Sequence, residues 1–182
     1  QAFKYRERLS ENERLLTEAT YWGSGPTPDR DKANAAYEAL IERDSTNRSA
    51  TNNVAIQYSS RRDDVRAESL LVADIRLSPG GENGYENLIF AQLDQGKIRE
   101  ATATLELMKT RFPGNPATTR NEYIIRSFTG NLDGAQRVLD SARASKSPDV
   151  RTVGYFLGAD IAMTRGRLAD SRRLFLEGEA LN

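Results

Sequence analysis

The chain has no cysteine and no histidine among its 182 residues. Their absence removes disulfides, thiolate nucleophiles, imidazole bases and the commonest zinc ligands. Most familiar catalytic arrangements are therefore excluded by inventory. An excess of one charge is lacking too: 26 Lys and Arg balance 26 Asp and Glu, so no basic surplus is available to neutralise a nucleic-acid backbone. Nor is there an apolar run of about eighteen residues, and the opening QAFKYRERLSENE lacks the apolar stretch of a signal peptide. Membrane insertion and nucleic-acid binding are not expected of this segment. Carboxylates are abundant but stand without motif context, and no kinase, hydrolase or nucleotide-binding signature is present. The single Gly-Lys pair, Gly96-Lys97, is followed by no Ser or Thr and is no phosphate loop. No catalytic residue, cofactor or metal is expected. AFKYRER already reads as helix, and RRLFLEGEALN stops just after an apolar helical face, so both termini read as cuts in a longer protein.

What is present is a period. Ala33, Ala67, Ala101 and Ala135 recur at 34-residue intervals, and Ser171 follows after 36. Each is followed four residues later by a large side chain, Tyr37, Leu71, Leu105, Leu139 and Phe175. With the residues three further on, these make one helical face, repeated five times. Gly96, Gly130 and Gly166 stand five residues before the last three markers, where a tight reversal between antiparallel helices favours a residue without a Cβ. Pro79 and Pro113 stand where the second helix must stop. Helix starts are marked by Ser10 with Glu13 and by Thr27-Pro28, Asn115-Pro116 and Ser147-Pro148. The expected architecture is all-α: a leading helix near residues 2–9, then hairpins at about 10–46, 47–80, 81–114, 115–147 and 148–182, all in one repeat domain.

This pattern resembles the tetratricopeptide repeat family. The third hairpin carries the likeness through Tyr85, Leu88, Gly96, Ala101, Leu105, Met108 and Pro113, and the second through Val54, Ala55, Tyr58, Ala67, Leu71 and Pro79. The fourth departs with Glu122 where Leu is usual, and the fifth with Ser171 and Gly178 where alanines are usual. The period and the balanced charge argue against an RNA-binding pentatricopeptide array. The resemblance implies a right-handed superhelical solenoid whose first helices line a groove that binds a protein or an extended peptide.

Along that groove, Asn53, Asn87 and Asn121 occupy one position in three consecutive first helices. Two readings stand. A row of amides can pair with successive backbone groups of an extended peptide, which resembles the asparagine ladder of the repeat domain in O-GlcNAc transferases; alternatively each Asn hydrogen-bonds the neighbouring hairpin. Ile56, Phe90 and Ile124 lie three residues further on and form either an apolar docking strip or packing between helices. Arg120 is the one cation at a clamp position where Asn52 and Glu86 stand in the preceding repeats, so a C-terminal carboxylate ligand is disfavoured. Asp74 falls on a normally small core position, where an unpaired carboxylate is costly; either a nearby arginine, Arg62 or Arg66, is expected to pair with it, or the helix is rotated outward.

The stretch AFKYRERLSENERLLTEATYW, with TNNVAIQY in the next repeat, resembles the repeat region after the kinase domain of bacterial serine/threonine protein kinases. That resemblance implies a sensor or docking region, extracytoplasmic if a membrane helix separates the two and cytoplasmic otherwise, with any kinase activity outside this chain. The alternative function is self-association as a homodimer through terminal helices.

Overall fold

The computed structural model describes residues 2–181. Among them are eleven helices and no strand. A 3-10 helix, Ala2–Arg8, takes the place of the expected leading α-helix and is broken at Tyr5. Then follow α1 (Glu11–Ser24), α2 (Arg30–Arg43), α3 (Arg48–Ser60), α4 (Asp64–Leu77), α5 (Glu82–Asp94), α6 (Ile98–Arg111), α7 (Pro116–Phe128), α8 (Leu132–Arg143), α9 (Pro148–Thr164) and α10 (Leu168–Glu179). They form two compact units, Gln1–Gln95 and Gly96–Asn182.

In unit one, α1 packs on α2, α2 on α3, α3 on α4 and α4 on α5, which brings the first helices α3 and α5 side by side. The marker residues Ala67 and Leu71 are buried with Ala55, Leu88 and Ala91. Leu15, Leu40 and Ala50 form a second cluster under Tyr37. In unit two the order repeats: α6 on α7, α7 on α8, α8 on α9 and α9 on α10. Ala101, Leu105, Ala135 and Leu139 are buried, but Phe175 is exposed and its neighbour Leu174 is buried instead. The Phe175 ring lies on Phe156, centroids 5.3 Å apart.

Local chemistry explains the helix ends. The Ser10 backbone N–H donates to Glu13 at 2.9 Å; Asn115 and Ser147 accept from the backbone N–H groups of Ala117 and Val150. Thr27 is not a cap. Asp29 fills that role for α2, accepting from the Lys32 N–H at 3.1 Å. Gly96, Gly130 and Gly166 have φ of 71°, 73° and 72°, the left-handed region a glycine enters without strain. Arg62, one period before Gly96, adopts φ 62° without being glycine. Its ion pair with Asp94 spans 3.9 Å between exposed groups and contributes little. Arg62→Gly is therefore expected to raise the midpoint of thermal unfolding, with a gain of about 0.5–1 kcal/mol; an unchanged or lowered midpoint in circular dichroism would show that the turn is not strained.

Candidate peptide-binding face

The face built by α3 and α5 in unit one carries four of the predicted groove residues. Helix periodicity places Asn53 and Ile56 on one side of α3, and Asn87 and Phe90 on the matching side of α5. The apolar members are open to solvent: Ile56 is 43% exposed and Phe90 38%. The amides are half-buried and already engaged. Asn53 Nδ2 donates to the Tyr37 hydroxyl of α2 at 3.1 Å, and Asn87 Nδ2 donates to Asn52 Oδ1 of α3 at 2.7 Å. These two asparagines tie each first helix to a preceding hairpin, which is the second of the two readings of the row. Asn52 and Tyr37 were not predicted as part of this polar network; the adjacent Asn52-Asn53 pair was the available signal for the first.

Unit two holds the remaining three on α7. Asn121 has 0% exposure. Its Nδ2 donates to the Ala117 carbonyl of its own helix at 2.9 Å and points toward Met108 Sδ at 3.9 Å, while its Oδ1 has no hydrogen-bond partner. The repeat explains the difference. Tyr37, which accepts from Asn53, is replaced one and two periods later by Leu71 and Leu105, neither of which has a hydroxyl; Asn87 pairs with Asn52 instead, whereas Asn121 turns back to its own helix. Asn121 thus sits in the wall of its unit, with no amide group at the surface to meet a ligand. Ile124 and Arg120 are half-buried, Phe128 is exposed, and Asp160 on α9 is exposed.

The departure at Glu122 is resolved by charge. Lys109 Nζ lies 2.9 Å away and Arg126 Nη2 2.6 Å. Burial acts to raise the Glu122 pKa, but the hydrogen bonds from the two cations outweigh it and hold the carboxyl below its ordinary range.

Asp74 is only 3% exposed, and its partner is neither Arg62 nor Arg66. Arg48, the first residue of α3, approaches with Nε 3.5 Å from Oδ1. Two glycines make the space. A Cβ on Gly81 would fall onto the Arg48 guanidinium, and one on Gly84 would lie 2.9 Å from Asp74 Oδ2. Arg66 instead pairs with Asp63 at its own helix start. Burial drives the Asp74 pKa up, and the Arg48 charge only partly offsets it.

Among the described residues there is no group of three or more potential metal-ligating side chains, and no helix is long and apolar enough to cross a membrane.

No protein-family model matches the chain, and no curated protein sequence matches it. Solved structures do. A tetratricopeptide repeat protein from Parabacteroides merdae is 13% identical over 94% of this chain with a TM-score of 0.68; the match spans 65% of that protein's chain. A thermophilic protein of the same repeat class from Thermus thermophilus is 17% identical, covering 93% of this chain and 90% of its own, with a TM-score of 0.66. PilW, a type IV pilus biogenesis factor, is 16% identical over 93% of this chain and 75% of its own, with a TM-score of 0.63. At such identities the likeness is one of fold. The fold is that of the tetratricopeptide-repeat proteins, all-helical and built from antiparallel hairpins.

Proposed function

We propose that the protein is a docking scaffold that takes an extended peptide or an amphipathic helix of a partner protein on the α3–α5 face of unit one. The observation that carries this reading is the exposure of Ile56 and Phe90 on adjacent helices, beside amides whose hydrogen bonds fix their positions. Apolar anchors on a rigid, pre-organised frame lose little entropy when a ligand arrives. A displayed random-peptide library panned against the protein is expected to yield ligands that lose about tenfold or more in affinity for the Ile56→Asp/Phe90→Asp double variant. Equal affinity for the two proteins would defeat the reading. Replacing Asn53 and Asn87 by Ala then separates ladder from frame: a ladder amide lowers affinity with stability unchanged, a framing amide lowers the melting midpoint.

A second reading, pairing with another copy through terminal helices, is favoured by one observation: Leu168, Phe175 and Leu176 of α10 are exposed. A solution mass that stays monomeric at high concentration removes it. The narrower reading, a docking or sensor region of a bacterial serine/threonine kinase, rests on the stretch at residues 2–22. The reading frame upstream tests it: a kinase domain followed by a membrane helix supports the reading and an extracytoplasmic location, and an unrelated neighbour removes it.

A further inference from the structure

Unit one carries a second recess, away from the residues just described. It is a cleft of about 480 Å³ between α2, α3 and α4. Ile41, Val54, Val65 and Leu70 give it apolar walls, and Val65 is 66% exposed at its rim. Glu38 and Glu42 of α2 line the same cleft. They stand four residues apart on one helix, where like charges repel, and no cation pairs with either among the described residues. Tyr58 holds the first of them by donating to Glu38 Oε1 at 3.2 Å. The cation in the lining, Arg66, is turned to Asp63 at 3.4 Å and lies over the Tyr58 ring. The cleft therefore presents apolar walls under two uncompensated negative charges.

Unit two provides an internal comparison. Two periods on, Val54, Tyr58, Ser69 and Leu70 correspond to Glu122, Arg126, Arg137 and Val138, and these also line a cleft. There the carboxylate is neutralised by Lys109 and Arg126, and Arg137 adds a positive charge. The same place in the repeat is polar with a surplus cation in one unit and apolar with surplus anions in the other. Hairpin packing alone does not call for that difference.

We propose that the α2–α3–α4 cleft of unit one is a separate docking surface for a basic amphipathic segment of a partner protein. Its leucine-like side chains fill the recess over Val54 and Leu70, and its Lys or Arg side chains meet Glu38 and Glu42. Apolar burial supplies the affinity, and the charge pair supplies orientation and selection against acidic segments.

The test is fluorescence anisotropy with a labelled amphipathic peptide built from Leu and Lys, alongside its Leu and Glu counterpart. The Leu–Lys peptide is expected to bind, more weakly as salt rises, and the Leu–Glu peptide is expected not to bind. Glu38→Lys/Glu42→Lys, both at exposed positions, is expected to weaken the Leu–Lys peptide by about tenfold or more, and Val65→Asp to weaken it as well. The charge-matched control Asp149→Lys/Asp160→Lys in unit two is expected to change it by less than about twofold, and Ile56→Asp/Phe90→Asp to leave it unchanged. Melting curves confirm that each variant is folded. Equal losses in the two Lys double variants, a loss confined to Ile56→Asp/Phe90→Asp, or no binding of the Leu–Lys peptide overturns the proposal.

Discussion

Replacing Arg48 by alanine is expected to destabilise the protein by about 2–3 kcal/mol, whereas replacing Asp74, the other half of the same ion pair, is expected to stabilise it by about 1 kcal/mol or more. The asymmetry follows from burial. The Asp74 side chain is 3% exposed and that of Arg48 40% exposed. Removing Arg48 strands a carboxylate between α4 and the Gly81–Gly84 stretch with nothing to compensate its lost hydration. Removing Asp74 leaves a guanidinium that can turn to water, and an alanine occupies the same repeat position two periods on, at Ala142.

The pH dependence of the same site has a definite sign. Asp74 has a folded-state pKa above its ordinary value, burial being the larger cause. The folded protein therefore holds this proton more tightly than the unfolded chain does. Stability from this group is greatest below the ordinary carboxylate range and falls as pH rises through the raised value. The stability of wild type minus that of Asp74→Ala, followed by urea unfolding, should decrease from acid toward neutral pH, and the Arg48→Ala variant should fall more steeply. Carboxylates such as Glu11, Glu13 and Asp140 shift the other way, so only the difference curve isolates Asp74. A flat difference would mean that the pair is not buried as described.

The second large effect is expected at Gly154, where α9 crosses α8. A Cβ there would lie 2.8 Å from the Ala142 Cβ and 2.9 Å from the backbone nitrogen of Arg143. A backbone atom cannot swing aside as a side chain can, so the helices must separate. Gly154→Val should cost about 3 kcal/mol or more, measured by denaturant unfolding. Gly154→Ala should cost about 1–2 kcal/mol even though alanine is the better helix former by about 1 kcal/mol. A gain in stability for Gly154→Ala would show that propensity wins and that the crossing is looser than these distances require.

These sites mark where reading by period stops working. The spacing of Ala67, Ala101 and Ala135 identifies buried positions because a helix face must meet the same neighbour once per hairpin. The turn glycines were legible for a similar reason: a left-handed backbone strongly favours glycine. Arg62 broke that rule while keeping the geometry, and only register, not residue type, could have flagged it. The exposure of Ile56 and Phe90 on adjacent first helices was legible. The state of the asparagines was not, since it turns on whether the preceding hairpin offers an acceptor: Tyr37 does so for Asn53 and Asn52 for Asn87, while Asn121, opposite Leu105, turns to its own helix.

Repeat length, the helical class and the buried faces of most helices followed from the sequence alone, since they depend on periodicity and local chain geometry; α10, which turns Leu174 rather than Phe175 inward, is the exception. The tertiary structure decided the partners. It chose Arg48 over Arg62 or Arg66 for Asp74, sealed Asn121 in the wall and left Glu38 and Glu42 without a cation beside an open apolar cleft. Each of those outcomes depends on side chains from different helices meeting within a few ångströms, a distance that no spacing along one chain encodes.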